Sequence, residues 1–594
     1  MAEKFSTDVF ESYNLYSHAE KFFLEPTDLG GGSSSQYYLE IDRHTNVMKL
    51  VDVRQQRIPI IDSDIKFIYG ILGTIKLVSG NALVLITKAK VVGQVNNHNI
   101  WTILDTEVIP FKKTTLHLTE KQIRFNRRFS EMITHVLSTG GFFYSTTLDI
   151  SRTFQWLREN ATPAFTNMSM IDRASERFVW NGHLLKEIRS VPGTERYALP
   201  VVHGFFGQSK VNVNGNNIKL TVISRRSIYR AGVRFYKRGV DVDGHAANFV
   251  ETEQIVEFDN HITSFVQLRG SIPLVWSQKP NLRWQPMPLL KPTDNQLDAF
   301  NRSFAWHQKH YGGRHVIVNL VNQKGREKKI GSELERIANQ ANIDFVRYHQ
   351  FDFHKECHAM QWHRIDLLRE QLMQEIEHFG FFYLSPNGAD STMFQKGFYR
   401  TNCMDCLDRT NVVQSMLARE SLSAQLQMLG VLDRNQKVQD VVILESIFKH
   451  LWADNGDECS RQYAGTGALK ADFTRLGKRT YVGALNDGVN ALSRYVRNNF
   501  NDGYRQDAID LFLGNFIIDS SDLPSTLDVS LFSSDQNGLA LIAAMFAMAM
   551  TILCMLVADN FTATIFWMII FFVCMTFIFL NGEEFVNAPK LKLD

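Results

Sequence analysis

Cysteine is scarce in this chain, with six in 594 residues at positions 357, 403, 406, 459, 554 and 574. That excludes a disulfide scaffold and fits a reducing cytosolic compartment. An excess of one charge is also lacking. The 64 basic and 62 acidic residues leave a formal net charge of +2, so the chain as a whole is not built around a polyanion and no nucleic-acid partner is expected. Residues 1–23 lack the apolar core of a signal peptide, so most of the chain is expected to stay in the cytosol. No internal repeat is present. The composition, 44% hydrophobic and 21% charged, is globular, and the length suits several domains.

What is there begins with residues 400–411, Arg-Thr-Asn-Cys-Met-Asp-Cys-Leu-Asp-Arg-Thr-Asn. Cys403 is followed after five residues by Arg409 and Thr410, a spacing suited to a phosphocysteine. A thiol attacks as its thiolate, which loop amides opening a helix and a nearby arginine stabilise. Arg409 has the planar fork to grip phosphate oxygens through the transition state, and Thr410 is placed to hydrogen-bond the thiolate. Residues 393–400 read as a strand entering the loop. Residues 411–429 read as the helix leaving it, with Gly430 as its stop. Asp405 and Asp408 would oppose a bound phosphate unless one is protonated and acts as general acid; the residues do not rank them. Met404, Cys406 and Leu407 complete the loop and are expected to surround the substrate. The loop has no glycine in its five-residue gap, unlike tyrosine-phosphatase loops, which points to another class. Cys403-x-x-Cys406 has no second pair to complete a structural zinc site, and a reversible disulfide between the two is a further hypothesis.

Residues 400–411 resemble the signature of the Sac-domain phosphoinositide phosphatases, close to the membrane-anchored suppressor-of-actin type of the endoplasmic reticulum. Residues 224–248, 267–276, 351–357 and 452–479 resemble other blocks of the same family. The resemblance implies hydrolysis of phosphatidylinositol 4-phosphate, with weaker action on phosphatidylinositol 3-phosphate and other phosphoinositides. It implies Cys403 as nucleophile, Arg409 as phosphate ligand, and no metal or cofactor. A phosphoprotein phosphatase and a non-catalytic phosphoinositide-binding scaffold are the alternatives. The membrane anchor counts against the first, the intact Cys403, Arg409 and Thr410 against the second.

Arg225, Arg226, Arg230, Arg234, Lys237 and Arg238 lie within fourteen residues that contain no acid. Arg225, Arg226, Arg234 and Lys237 are therefore expected to meet the headgroup or an anionic bilayer, at about 1 kcal/mol per basic residue near the surface. Lys324, Arg326, Lys328 and Lys329 form a second group with the same two readings, solvated face or lipid contact.

Residues 538–558 and 561–580 are apolar runs without charge. At about 20 residues and 1.5 Å rise, each spans the roughly 30 Å hydrocarbon core. Asp559-Asn560 allows only a tight turn, so a two-span hairpin with both ends cytosolic is expected. The sequon at Asn560 lies at the membrane surface and is expected to be unused. Lys590 and Lys592 stand fifth and third from the end, like the dilysine signal read by the retrograde coat complex. The expected location is the endoplasmic reticulum membrane with cycling to the Golgi, and proteins of membrane contact sites are candidate partners.

The fold class expected is α/β: a β-rich N-terminal lobe (1–180) packed on an α/β cysteine-phosphatase core (181–516), then the transmembrane hairpin. Strands are expected within 37–53 and 65–95. A helix should start at Thr119 in a capping box with Gln122 and bury Phe125, Phe129, Met132, Ile133 and Val136. Residues 359–379 read as one long helix ending at Gly380. Residues 517–537 read as a linker; if flexible, it reaches roughly 25 Å, and at most about 70 Å when extended, so action is expected in cis. A tail (581–594) follows the second span.

Overall fold

Alternating and β-branched residues early in the chain build two sheets. The computed structural model describes residues 8–591 apart from 28–34, 60–63, 292–294, 358–360, 387–391, 470, 477–479, 520–522, 524–534 and 558–560. Ser12–Ser17 (β1), Lys21–Thr27 (β2), Tyr37–Asp42 (β3), Met48–Asp52 (β4) and Asp64–Ile68 (β5) form a sheet of order β4-β3-β2-β1-β5. Its alternate side chains, among them Leu15, Phe22, Leu24, Leu39 and Ile41, close one apolar core.

A twelve-stranded sheet carries the rest, apart from the short pair Trp276–Ser277 and Leu289–Leu290. Gly70–Leu77 (β6), Gly80–Val95 (β7), His98–Pro110 (β8), Phe142–Tyr144 (β9), Val202–Val213 (β10), Asn216–Arg226 (β11), Val250–Phe258 (β12) and His261–Arg269 (β13) run antiparallel in sequence order. Beyond β13 the sheet turns parallel through Arg314–Asn319 (β14), Val346–Gln350 (β15) and Gly397–Asn402 (β17), in spatial order β13-β17-β14-β15. Phe382–Leu384 (β16) pairs antiparallel with β13. The β9–β10 pairing crosses the expected division at residue 180, so one ladder joins the N-terminal lobe to the core.

Helix α1 (Glu120–Ser138) follows its sequence pattern closely. Thr119 accepts from the Gln122 amide, the reciprocal Gln122 contact completes the capping box, and the five expected apolar residues are buried. Three expectations shift, the first being the helix leaving the loop, which spans Asp408–Met428 and not 411–429. The strand into the loop starts at Gly397, not at 393, because its parallel register with β14 begins at Arg314↔Gly397. Met393 instead bridges back to Tyr383. The single helix expected over 359–379 is broken among the described residues into Trp362–Ile365, Asp366–Gln371 and Met373–Phe379. The break falls at Leu372, whose backbone (φ −102°, ψ 9°) leaves the helical basin.

The C-terminal third is helical. Asp408–Met428 (α2) and Val442–Ala464 (α3) pack against the sheet through Val413, Leu417, Leu426, Leu444 and Phe448. Tyr481–Phe500 (α4) and Asp502–Phe512 (α5) follow. Most of the expected linker, with the hairpin turn at Asp559-Asn560 and Lys592, lies outside the described residues. Asp535–Val557 (α6) and Phe561–Leu580 (α7) are long and apolar enough to cross a membrane, and they meet through Phe546 and Trp567.

After α7 the chain folds back onto the core. Asn587 donates its amide to the Asn499 carbonyl, accepts from Tyr236 Oη on its carbonyl, and accepts the Tyr504 amide on Oδ1. The amides of Lys590 and Leu591 both donate to the Asp507 carboxylate at 2.9–3.0 Å. A Cβ at Gly503 would stand 2.4 Å from the Asn587 carbonyl oxygen, so the fit at this joint requires glycine.

Candidate active site

Residues 403–407 join the carboxyl end of β17 to the N-terminus of α2, with parallel strands on either side of β17. The ends of parallel strands are where α/β sheets hold ligands, and the unpaired amides of a helix N-terminus favour an anion. The loop carbonyls are tied outward by buried donors. Arg238 Nη1 holds the Met404 carbonyl at 2.8 Å, Asn248 Nδ2 that of Asp405 at 3.2 Å, and Arg269 Nη2 that of Cys406 at 3.0 Å.

Cys403 is 2% exposed. Its Sγ accepts from the Cys406 amide at 3.0 Å and from Thr410 Oγ1 at 3.5 Å. Burial resists ionisation of this thiol, but a hydrogen bond with the Cys406 side chain, the Arg409 charge and Thr410 outweigh it and hold its pKa below the ordinary value. Cys406 adopts a left-handed backbone (φ 54°) where a glycine would be the easy choice. Burial and the neighbouring Cys403 push its own thiol well up, and its S–H donates to the Gly270 carbonyl at 2.7 Å. Both cysteines are free thiols.

Arg409 is held in a bidentate pair by Glu327, with both N···O distances 3.0 Å, and also donates to the Leu320 carbonyl and Asn322 Oδ1. Such a pair sets the plane of the guanidinium before any phosphate arrives. Glu327→Gln is expected to weaken competitive inhibition by inorganic phosphate about tenfold while the fold stays intact. An unchanged inhibition constant would deny Glu327 this orienting role.

The two aspartates have opposite environments. Asp405 receives Arg234 Nε at 3.0 Å, Arg234 Nη2 at 2.7 Å and Arg238 Nη2 at 2.7 Å. Against the cost of burial, these guanidiniums hold its carboxyl far below the usual range. Among the described residues Asp408 accepts only a backbone amide, that of Leu469 at 2.9 Å, and burial raises its pKa. Beside Leu469, a cleft of about 500 Å³ is lined by Asp457, Ala468, Arg475, Asn486 and Asn490.

The other expected contacts divide sharply. Arg234 reaches the loop. Arg225 and Arg226, expected to face headgroup or bilayer, are instead 1% and 2% exposed inside the protein. Arg225 bridges Glu251 at 2.8 Å and Glu253 at 2.7 Å across β11 and β12, and Arg226 donates to the carbonyls of Gly232 and Gln462. A charge so deep is tolerated only with such partners. Lys237 is also buried (8%), its carbonyl accepting from Tyr463 Oη. Met404 packs into the core with Ile272 and Leu274, and Leu407 with Tyr463 and Ala464, so only their backbones are available to a ligand. The second basic group is the one in the open: Lys324, Arg326, Lys328 and Lys329 are exposed around Glu327.

Sequence reasoning missed Glu327, Asn322, Arg269, Asn248 and Arg238 as loop supports. Glu327 did carry a signal, being the one acid inside the basic run 324–329.

Residues 69–358 match the family profile described as SacI homology domain. The chain is 46% identical to phosphatidylinositol-3-phosphatase SAC1-A of Danio rerio over 98% of both chains. It is 40% identical to phosphatidylinositol-3-phosphatase SAC1 of Drosophila melanogaster over 98% of this chain and 97% of that one. Identity to the Saccharomyces cerevisiae SAC1 phosphatase is 35%, covering 89% and 86%.

Proposed function

Because this chain belongs to the Sac1 family of phosphoinositide phosphatases, we propose that it hydrolyses phosphatidylinositol 4-phosphate through a phosphocysteine. Action on phosphatidylinositol 3-phosphate and other phosphoinositides is weaker, and the product is phosphatidylinositol. The relatives named above are 3-phosphatases by name; the 4-position preference rests on the likeness to the membrane-anchored type. The observation that carries the chemistry is a buried Cys403 Sγ at the N-terminus of α2, accepting from the Cys406 amide and Thr410 Oγ1, with the Arg409 charge favouring its thiolate.

In the first step Cys403 Sγ attacks phosphorus, the S–P bond forms, and the P–O bond to inositol breaks. Asp408 gives its proton to the departing alkoxide. Arg409 and the loop amides hold the equatorial oxygens through the transition state. In the second step water attacks phosphorus, loses its proton to Asp408, and the thiolate leaves with its electron pair. Asp405 stays ionised throughout because three guanidinium hydrogen bonds hold it. It serves to lock the loop to Arg234 and Arg238. The remaining parts of the reading are residence in the endoplasmic reticulum membrane, cycling to the Golgi, retrieval by the retrograde coat complex through Lys590 and Lys592, and contact-site partners. They are supported by the position of the lysine pair just after α7.

The test is phosphate release by the full-length protein from vesicles containing each phosphatidylinositol monophosphate. Turnover strongest on the 4-phosphate supports the reading; turnover on phosphopeptides but on no lipid overturns it. The pH profile of kcat/KM in that assay separates the acids. Activity rises with pH as Cys403 ionises, below the range of an ordinary thiol. It falls as Asp408 loses its proton, above the ordinary carboxylate range. Asp408→Asn is expected to lower kcat about 10²- to 10⁴-fold and to remove the falling limb. If that limb survives in Asp408→Asn, Asp408 is not the acid.

A further inference from the structure

Helix α4 carries an apolar stripe that no described residue covers. Tyr481, Val482, Leu485, Val489, Leu492 and Val496 are all exposed, Tyr481 by 98% and Leu485 by 70%. At 3.6 residues per turn the six fall within an arc of about 100°. A helix packed in a soluble core would bury that arc. The opposite face is committed to the protein: Arg494 donates to Thr466 Oγ1, and Asn498 Oδ1 accepts from Arg234, the residue that clamps Asp405.

The stripe is continuous with the base of the hairpin. On the same helix Tyr495 donates to the Leu282 carbonyl at 2.8 Å and stacks on Trp284 at 5.4 Å. Leu282 packs against Ala544 of α6 and Ile578 of α7, while Trp284 is 60% exposed. Arg326 donates to the Gln285 carbonyl at 2.6 Å, which attaches the exposed basic run 324–329 to the same face. The folded-back tail adds a limit of length. Asn587, bonded to Asn499 in the last turn of α4, comes seven residues after α7 ends, at most about 25 Å of extended chain.

We infer that α4 lies in the interfacial plane of the bilayer that α6 and α7 cross, with its apolar stripe among the upper acyl chains. Trp284 sits at headgroup depth and the basic run faces anionic lipid, the arrangement an in-plane amphipathic helix with an aromatic and basic border adopts. The docking stands on the surface alone. Its purpose, to set the loop against a phosphate at the edge of its own membrane, rests on the phosphatase reading above.

The experiment uses the full-length protein in vesicles containing a phosphatidylcholine with a photoactivatable acyl chain, irradiated and mapped by mass spectrometry. Adducts are expected on Leu485, Val489, Leu492 or Val496 as well as on the spans. Adducts confined to the spans, or α4 cross-linked to a second copy of the chain in place of lipid, would overturn the inference. In parallel, the Leu485→Glu/Leu492→Glu protein is expected to lose about tenfold in turnover of a long-chain phosphoinositide in vesicles. Its turnover of a short-chain, water-soluble phosphoinositide in detergent should equal that of the unchanged protein. Equal loss on both substrates, or loss on neither, overturns it too. Failure of the unchanged protein on both substrates would sink the phosphatase reading instead, and the labelling pattern would still decide the docking.

Discussion

Cys403→Ser is expected to cut phosphate release about 10⁴-fold or more while leaving the fold and lipid binding in place. The cause is electrostatic. The Cys406 amide and Thr410 Oγ1 donate to the sulfur, and the Cys406 side chain, the Arg409 charge and Thr410 favour its negative form. The same donors acting on a serine hydroxyl still leave it protonated, because its acidity starts far lower. The oxygen is also a poor leaving group in the second step. Folding should survive because serine is close in size and still accepts from the same two donors. The measurement is single-turnover release from vesicles, with acid quenching to trap labelled phosphate on the protein. Label on the unchanged protein and none on Cys403→Ser is the expected pair. Retention of more than about a hundredth of the turnover in Cys403→Ser would remove the covalent route. Cys406→Ser is the companion: serine keeps a protonated side-chain donor where the Cys406 thiol helps hold Cys403 toward its thiolate, so most activity should remain.

The largest effect on stability is expected from Arg225→Met, about 3–5 kcal/mol. Arg225 is among the most deeply buried side chains, and both Glu251 and Glu253 depend on it for charge balance. Removing the guanidinium leaves two carboxylates side by side on β12, two residues apart, with no water to solvate them. Desolvation already raises the pKa of Glu251 even with Arg225 present. Denaturant unfolding of the detergent-solubilised protein measures the loss. Replacing all three charges together, Arg225→Met with Glu251→Gln and Glu253→Gln, should restore a good part of it, since the cost lies in the unpaired charge. If Arg225→Met unfolds like the unchanged protein yet binds phosphoinositide vesicles poorly, Arg225 is a headgroup contact after all.

The contrast between these two residues shows what a sequence makes legible. Cys403, Arg409 and Thr410 were readable as one cluster because they lie at a fixed spacing along one short loop. The cap of α1 was readable because Thr119 and Gln122 are three residues apart. The buried role of Arg225 was not, since its partners arrive 26 and 28 residues later and only a β-ladder brings them opposite. Until the fold is known, a run of arginines without acids looks like a surface. The ranking of Asp405 and Asp408 was hidden for the same reason, Arg234 and Arg238 lying some 170 residues upstream. The stripe on α4 is a different failure. Its spacing is plain in the sequence, but an amphipathic pattern says only that one face avoids water. It does not distinguish a protein core from a membrane.

The folded-back tail has a kinetic consequence. On the proposed reading, a catalytic core tied through Asn587 and Lys590 to the segment that follows a membrane-crossing α7 cannot leave the plane in which its lipid diffuses, so its encounters are two-dimensional. Bulk concentration then drops out of the rate law, and the quantity sensed is the surface mole fraction of phosphoinositide. Diluting the vesicles should leave turnover per enzyme untouched, whereas diluting the substrate lipid within them should slow it in proportion below saturation.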